Sequence, residues 1–345
     1  VLPLLLAAAT ILTPADAAAS VDGERVLDVV AHLSGAEPID GAAVWSRHLL
    51  HPDHARAGAW LQARFEAIDG LEVRTETFTA VGTEATNIVA DLPSAAEPSA
   101  GRIVLGAHWD STASSEDDWD PLVTSAPGAD DDASGIAVLL EVATLLAAYE
   151  PGFASDLRFL AFDAEEEGLL GSFHHVAGST NPVDVAVIFD PVGYNPGGGG
   201  LLWFAYHEDW PEAGDDLVAS AEEIDTWLDV SGVDQALIGG DARSDHFPFW
   251  QAGIAAIHIG SFPQPPAYHT SGDSLDVVDP AFLAEVAAVA TAHAVRLAGP
   301  LEPSPDEGDG CTGCSAGAGR SSGIWIAVAL AGAALRRRTC RRCPR

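Results

Sequence analysis

Residues 157–168 read LRFLAFDAEEEG, an apolar run broken only by Arg158 and Asp163 that opens abruptly into Glu165, Glu166 and Glu167. A run of that length, rich in Leu and Phe and closed by carboxylates and a glycine, predicts a strand buried on both faces. The same design recurs on either side. RIVLGA at 102–107 precedes His108-Trp109-Asp110-Ser111, and VDVAVIFD at 183–190 ends on Asp190. A fourth run at 254–259 leads into a loop carrying Tyr268 and His269. Helical patterns lie between them at 134–149 and 168–177, and a closing helix is predicted at 280–298, with Ser134 or a preceding aspartate as N-cap of the first. Upstream, 51–68 has apolar residues at helical spacing, while 71–79 and 87–92 look like strands. Strands alternating with helices predict an α/β fold: a mixed, largely parallel twisted sheet flanked by helices on both faces.

Open sheets of this class bind ligands at the carboxyl ends of their strands, so polar residues placed just after the apolar runs converge on one crevice. His108 and Asp110 are such a pair, because a metal-bound imidazole commonly gives its second N–H to a carboxylate. Asp130, Asp131 and Asp132 stand together in GADDDASG, directly before a helix. One of them could simply cap that helix and meet its positive end; three exceed what a cap needs, and a carboxylate can also bridge two cations. In the Glu165-Glu166-Glu167 run, one carboxylate can hold metal while its neighbour acts as general base; a solvent-facing acidic turn is the plainer alternative. Two histidines and three carboxylates, with no cysteine among them, are an N/O donor set suited to a pair of catalytic zinc ions.

Composition narrows the field. The chain has 345 residues and no lysine; residues 1–319 hold nine arginines against 51 acids, a formal −42, and seven arginines from Arg320 onward bring the total to −35. Such a field repels nucleic acid and anionic membrane surfaces and favours cationic ligands. The four cysteines, Cys311, Cys314, Cys340 and Cys343, all lie near the end, so the body has no thiolate site and no disulfide framework.

Four segments are expected. Residues 1–19 read as a secretory signal peptide, from an apolar run at 2–12 followed by Ala15-Asp16-Ala17. Residues 20–300 are the catalytic body. Residues 301–322 are a Pro/Gly/acid linker with Cys311 and Cys314, and 323–345 are a short apolar segment with a basic tail. The last two resemble bacterial C-terminal sorting signals of the myxobacterial type, which implies a secreted protein retained at the cell surface and touching membrane only through that tail. No role is assigned to Cys340 and Cys343.

The motifs HWDS, GADDDASG, AEEEGLLGS, FDP and YHTSGDSLD, in that order, resemble the secreted bacterial leucyl aminopeptidases of metallopeptidase family twenty-eight. The resemblance covers about residues 40–298, including Ser46-Arg47-His48 and Asn87-Ile88-Val89. It implies that His108 and Asp190 bind one zinc, that Glu166 and His269 bind the other, and that Asp131 bridges them. It further implies Glu165 as general base and acid, Asp110 as the residue orienting His108, and Tyr268 as a stabiliser of the tetrahedral intermediate. Arg243 matches a position near the substrate in some members; Glu167 is often another residue type. The expected substrates are peptides with a free N-terminus, an apolar N-terminal residue among them, and a monomer is expected. The alternatives are a glutaminyl cyclase-like acyl transferase or a carboxypeptidase on the same fold, and, in another class, a non-catalytic surface binding module.

Overall fold

The computed structural model describes residues 10–234 and 243–303. The expectations for residues 1–9 and for the linker and tail from 304 onward lie outside the described residues. In chain order the elements are α1 (Pro14–Ala18), α2 (Gly23–Leu33), α3 (His54–Glu66), β1 (Glu72–Ala80), β2 (Thr83–Leu92), β3 (Arg102–His108), α4 (Ala133–Ala147), β4 (Asp156–Phe162), α5 (Leu170–Gly178), β5 (Val185–Phe189), β6 (Leu201–Tyr206), α6 (Pro211–Glu223), β7 (Asp229–Asp234), α7 (His246–Gln251), β8 (Ala255–Ser261) and α8 (Pro280–Ala298). Residues 14–18, assigned above to the leader, thus form α1, whose Ala17 is buried in the main core.

The strands form one mixed sheet in the order β1-β2-β4-β3-β5-β8-β6-β7. Its centre, β4-β3-β5-β8, is parallel throughout. On one side β1 and β2 pair antiparallel, and β2 runs antiparallel to β4; on the other, β6 runs antiparallel to β8 while β7 follows β6 in parallel. The expected mixed, largely parallel sheet is what forms. Alternation along the central strands divides two cores: Ile103, Leu105, Phe159, Ala161, Val187 and Ile257 join the larger one with α2, α3, α4 and α8. Val104, Leu160, Phe162, Ala186 and Ile188 face the smaller one with Phe249 and Trp250 of α7. Helices therefore cover both faces, which is why the central strands read as nearly continuous apolar runs.

The chain passes from β3 through α4 to β4 on one side of β3, then through α5 to β5 on its other side. This reversal of direction opens a crevice beyond the carboxyl end of β3, where His108 stands.

Candidate metal centre

Each candidate residue is held by a specific local device. His108 is the last residue of β3, and its backbone N–H donates to Asp132 Oδ2 at 3.1 Å. The other oxygen of Asp132 accepts from Gly135 N at 2.9 Å as the N-cap of α4. The capping reading of the three aspartates is therefore correct for Asp132. Asp130 turns the other way and accepts from Gly193 N in the loop after β5. Asp131, 3% exposed, is the one left to face the crevice.

Asp131 lies between the two histidines: Oδ1 is 3.0 Å from His108 Nε2 and Oδ2 is 3.0 Å from His269 Nε2. His108 Nε2 is also 3.5 Å from Asp190 Oδ1 and 4.0 Å from Glu165 Oε2. His269 Nε2 is also 3.1 Å from Glu166 Oε2. The structure thus brings together all five residues expected to hold metal, along with Glu165, although they come from the end of β3 and four separate loops. Tyr268 stacks on His269 with ring centroids 3.8 Å apart and lines a cavity of about 650 Å³ beside Asp190. Trp203, Arg243, His258 and Phe262 line the same cavity.

A hydrogen-bond account of this cluster fails on valence. His108 Nε2 has at most one proton to offer, yet three carboxylates approach it within 4.0 Å. Asp131 Oδ2 and Glu166 Oε1 are buried without a hydrogen-bond partner, although Asp131 Oδ2 lies close to His269 Nε2. Ligands roughly 2.0–2.1 Å from a common tetrahedral zinc stand about 3.3 Å from each other, which is the spacing of the His–carboxylate pairs here. The groups His108/Asp132/Asp190, His108/Glu165/Glu166 and Asp131/Glu166/His269 each converge closely enough to share a cation. The donor set fits a pair of ions.

Electrostatics agree. Burial pushes Glu165 well above the usual carboxylate range, with Asp190 and Glu166 adding to it against His108. Burial does the same to Glu166, with Asp131 the next contributor. Burial would lower His108, but the surrounding carboxylates, Glu165 and Asp190 first and Asp110 and Asp131 after them, hold the imidazole well above its ordinary value. Asp131 resists the upward push of burial because His108 and His269 hold it below its usual range. Burial and the carboxylates around it raise Tyr268, so its phenol keeps its proton and remains a donor. Carboxylates packed this densely call for positive charge.

Asp110 does more than the sequence suggested. Its Oδ1 faces His108 Nδ1 at 3.4 Å, a long contact, while its two oxygens accept from Glu165 N and Glu166 N at 3.1 Å each. It therefore fixes the backbone that carries the candidate base and a candidate ligand. Glu167 points elsewhere: His48 Nδ1 accepts from Leu50 N, so Nε2 carries the proton and donates to Glu167 Oε1 at 3.0 Å.

Three supporting groups were given no role by the sequence reading. Arg47 is fully buried and donates to the carbonyls of Leu33, Trp109, Pro127 and Gly128, bracing the segment before the three aspartates. Asp245 is buried, accepts from Ser172 Oγ and is pushed up to about 7 by burial. Asp163 accepts from Thr86 N and faces His54 Nε2 at 2.9 Å, steadying the turn before Glu165. Only the Asp after a strand end offered a local signal; a lone arginine looks the same whether it braces carbonyls or meets solvent.

The model of peptidase family M28 matches residues 87–294. The uncharacterized protein YfbL of Escherichia coli (strain K12) is 32% identical over 243 residues, covering 63% of this chain and 72% of that protein. Aminopeptidase YwaD of Bacillus subtilis (strain 168) is 31% identical over 196 residues, 55% of this chain and 40% of YwaD, so the chain spans less than half of that relative. Among solved structures, the LapA aminopeptidase of Legionella pneumophila superposes with a TM-score of 0.69 at 22% identity, covering 87% of this chain and 79% of LapA. The glutaminyl cyclase of Porphyromonas gingivalis superposes at 0.64 and 21% identity, covering 80% of this chain and 99% of the cyclase. At these identities the two superpositions establish a shared fold.

Proposed function

The chain belongs to peptidase family M28, and from that premise we propose that it is an aminopeptidase working with two zinc ions on peptides that have a free N-terminus. The observation that carries this reading is Asp131, set 3.0 Å from an imidazole nitrogen on each side. His108 and Asp190 would hold one zinc, Glu166 and His269 the other, and Asp131 both. When bound, the pair polarises the scissile carbonyl and makes water a competent nucleophile near neutral pH.

The remaining chemistry falls to side chains. Glu165 takes a proton from the attacking water and returns it to the leaving amine; its burial among carboxylates suits a group that must bind and release a proton. Asp110 keeps Glu165 in place through the backbone amide. Tyr268, with its proton retained, donates to the oxygen on which negative charge develops. The carboxylates around the pair attract the substrate's N-terminal ammonium, and this makes the enzyme an exopeptidase. The adjoining cavity, with Trp203, Phe262 and Pro191 in its wall, accepts an apolar N-terminal side chain. We place this activity outside the cell; the apolar run at residues 2–12 supports that reading.

The test is a zinc count on the purified protein, with hydrolysis of leucine-p-nitroanilide measured beside its N-acetylated form. Two zincs with cleavage of the free amine alone is the expected result. No zinc and no activity would refute the reading. The cyclase likeness supplies the second reading, acyl transfer on the same fold. Release of pyroglutamyl peptide and ammonia from glutaminyl peptides, with one zinc per chain, would favour it.

A further inference from the structure

Asp273 lies outside the set of residues that face the crevice, yet it touches the chain on both sides of it. Its two carboxylate oxygens accept from consecutive backbone amides, Asp130 N at 3.0 Å and Asp131 N at 3.0 Å. Its own carbonyl accepts from Ala129 N at 3.0 Å. One residue thus satisfies three successive amides of the loop that presents Asp131, and it is 1% exposed. It is also four residues beyond His269, in a tight turn where Thr270 N donates to Ala267 O and Asp273 N donates to Thr270 O. Asp110 shows the same device across the crevice, accepting from the consecutive amides of Glu165 and Glu166.

We propose that Asp273 is a positioning residue that fixes Asp131 against His269 and thereby sets the affinity for the cation held by Asp131, Glu166 and His269. The inference rests on the metal-pair reading above. The two halves of the centre are built differently. His108 is the end of a central strand, and its amide is anchored by Asp132; Asp190 directly follows β5. His269 sits in a loop with φ of 56°, a left-handed conformation that a non-glycine residue holds only when its surroundings impose it. Its carbonyl accepts from Ser115 N, and the tie from its turn to the aspartate loop is Asp273. Without that tie the buried amides of Asp130 and Asp131 lose their acceptors, and the 3.0 Å approach of Asp131 to His269 is no longer enforced.

Asp273→Asn tests this, because its amide nitrogen must face one of the two N–H groups as donor against donor. Purified variant and unaltered protein are dialysed against graded chelator, and zinc per chain is counted at each step. The expected result is that one zinc of the variant is lost at chelator concentrations about 10–100-fold lower than in the unaltered protein, while the other is retained. Glu141→Gln serves as a control for general loosening: it weakens a part-buried pair with Arg25 in the α2–α4 contact, away from the metal residues, and should keep both zincs. If Asp273→Asn holds both zincs as tightly as the unaltered protein, or loses them in step with Glu141→Gln, the proposal is overturned. Asp273→Ser, which leaves one acceptor in a smaller side chain, replaces the Asn variant if that does not fold, and is judged by the same outcomes. An unaltered protein that binds fewer than two zincs would instead refute the metal-pair reading itself.

Discussion

Replacing Glu165 with glutamine removes a proton acceptor while changing little else. The side chain is 8% exposed, and its place is set through the backbone, where its amide donates to Asp110. Glutamine has the same length and leaves that bond intact. The lost carboxylate stands 4.0 Å from His108 Nε2, farther than Asp131 or Asp190, so its removal should leave the five metal residues in position. A positioned general base contributes about 10²–10⁴ in rate, which at about 1.36 kcal/mol per decade corresponds to a barrier rise of roughly 3–5 kcal/mol. The assay is kcat for leucine-p-nitroanilide together with zinc per chain. We expect two zincs and turnover reduced by about 10²–10⁴. Turnover within about tenfold of the unaltered enzyme would lie below the range for a lost base and would refute the assignment. Loss of zinc in the variant would show that Glu165 serves the metal rather than the proton.

Three further outcomes follow from other parts of the molecule. Arg47→Met strips four carbonyls, three of them buried, of their donor and should cost about 3–5 kcal/mol, lowering Tm by roughly 10 °C in thermal unfolding; an unchanged Tm would deny Arg47 its bracing role. His293, buried between α8 and α6 with Nδ1 3.2 Å from Ser220 Oγ, is lowered to about 4 by burial, with Arg296 assisting. The unfolded chain protonates this group below about pH 6.5 and the folded chain only near pH 4, so folding stability declines as pH falls through that window, by up to about 3 kcal/mol. His293→Leu should flatten the Tm profile between pH 7 and 4, and an equally steep profile would assign the acid loss to other groups. Chelation should lower Tm by roughly 10 °C, because ions bound to the folded state alone stabilise it by about 4 kcal/mol at a thousandfold excess over Kd; zinc should restore it, and insensitivity of Tm to chelator would argue against a resident metal.

Much of the fold is written locally. The runs at 102–107, 157–163, 183–190 and 254–259 became β3, β4, β5 and β8, and the closing helix spans Pro280–Ala298 as predicted. The central strands are buried on both faces and the closing helix is mostly buried, so their apolar patterns are dense. The strands β6 and β7 went unread. The edge strand β7 is Asp229–Asp234, half-buried to exposed, with a glycine and two aspartates, and carries no apolar alternation. The helix α2, Gly23–Leu33, also went unread, although Asp22 caps it and one face buries Val26, Val29, Val30 and Leu33. The antiparallel direction of β6 against β8 could not be read at all, since strand direction depends on how the connection returns rather than on the residues within the strand.

Periodicity and residue type act over a few positions, so the alternation of strands and helices, the placing of His and carboxylates at strand ends, and the donor chemistry are legible in the chain alone. Which member of each carboxylate run does what depends on long-range packing. Asp130, Asp131 and Asp132 are chemically identical neighbours; Gly193, two histidines, and the start of α4 respectively give them different work. Asp273 reaches its amides across 142 and 143 residues of chain. A carboxylate's role follows from the charges and donors that surround it, and in this chain those arrive from strands far apart in sequence, through packing that no local pattern encodes.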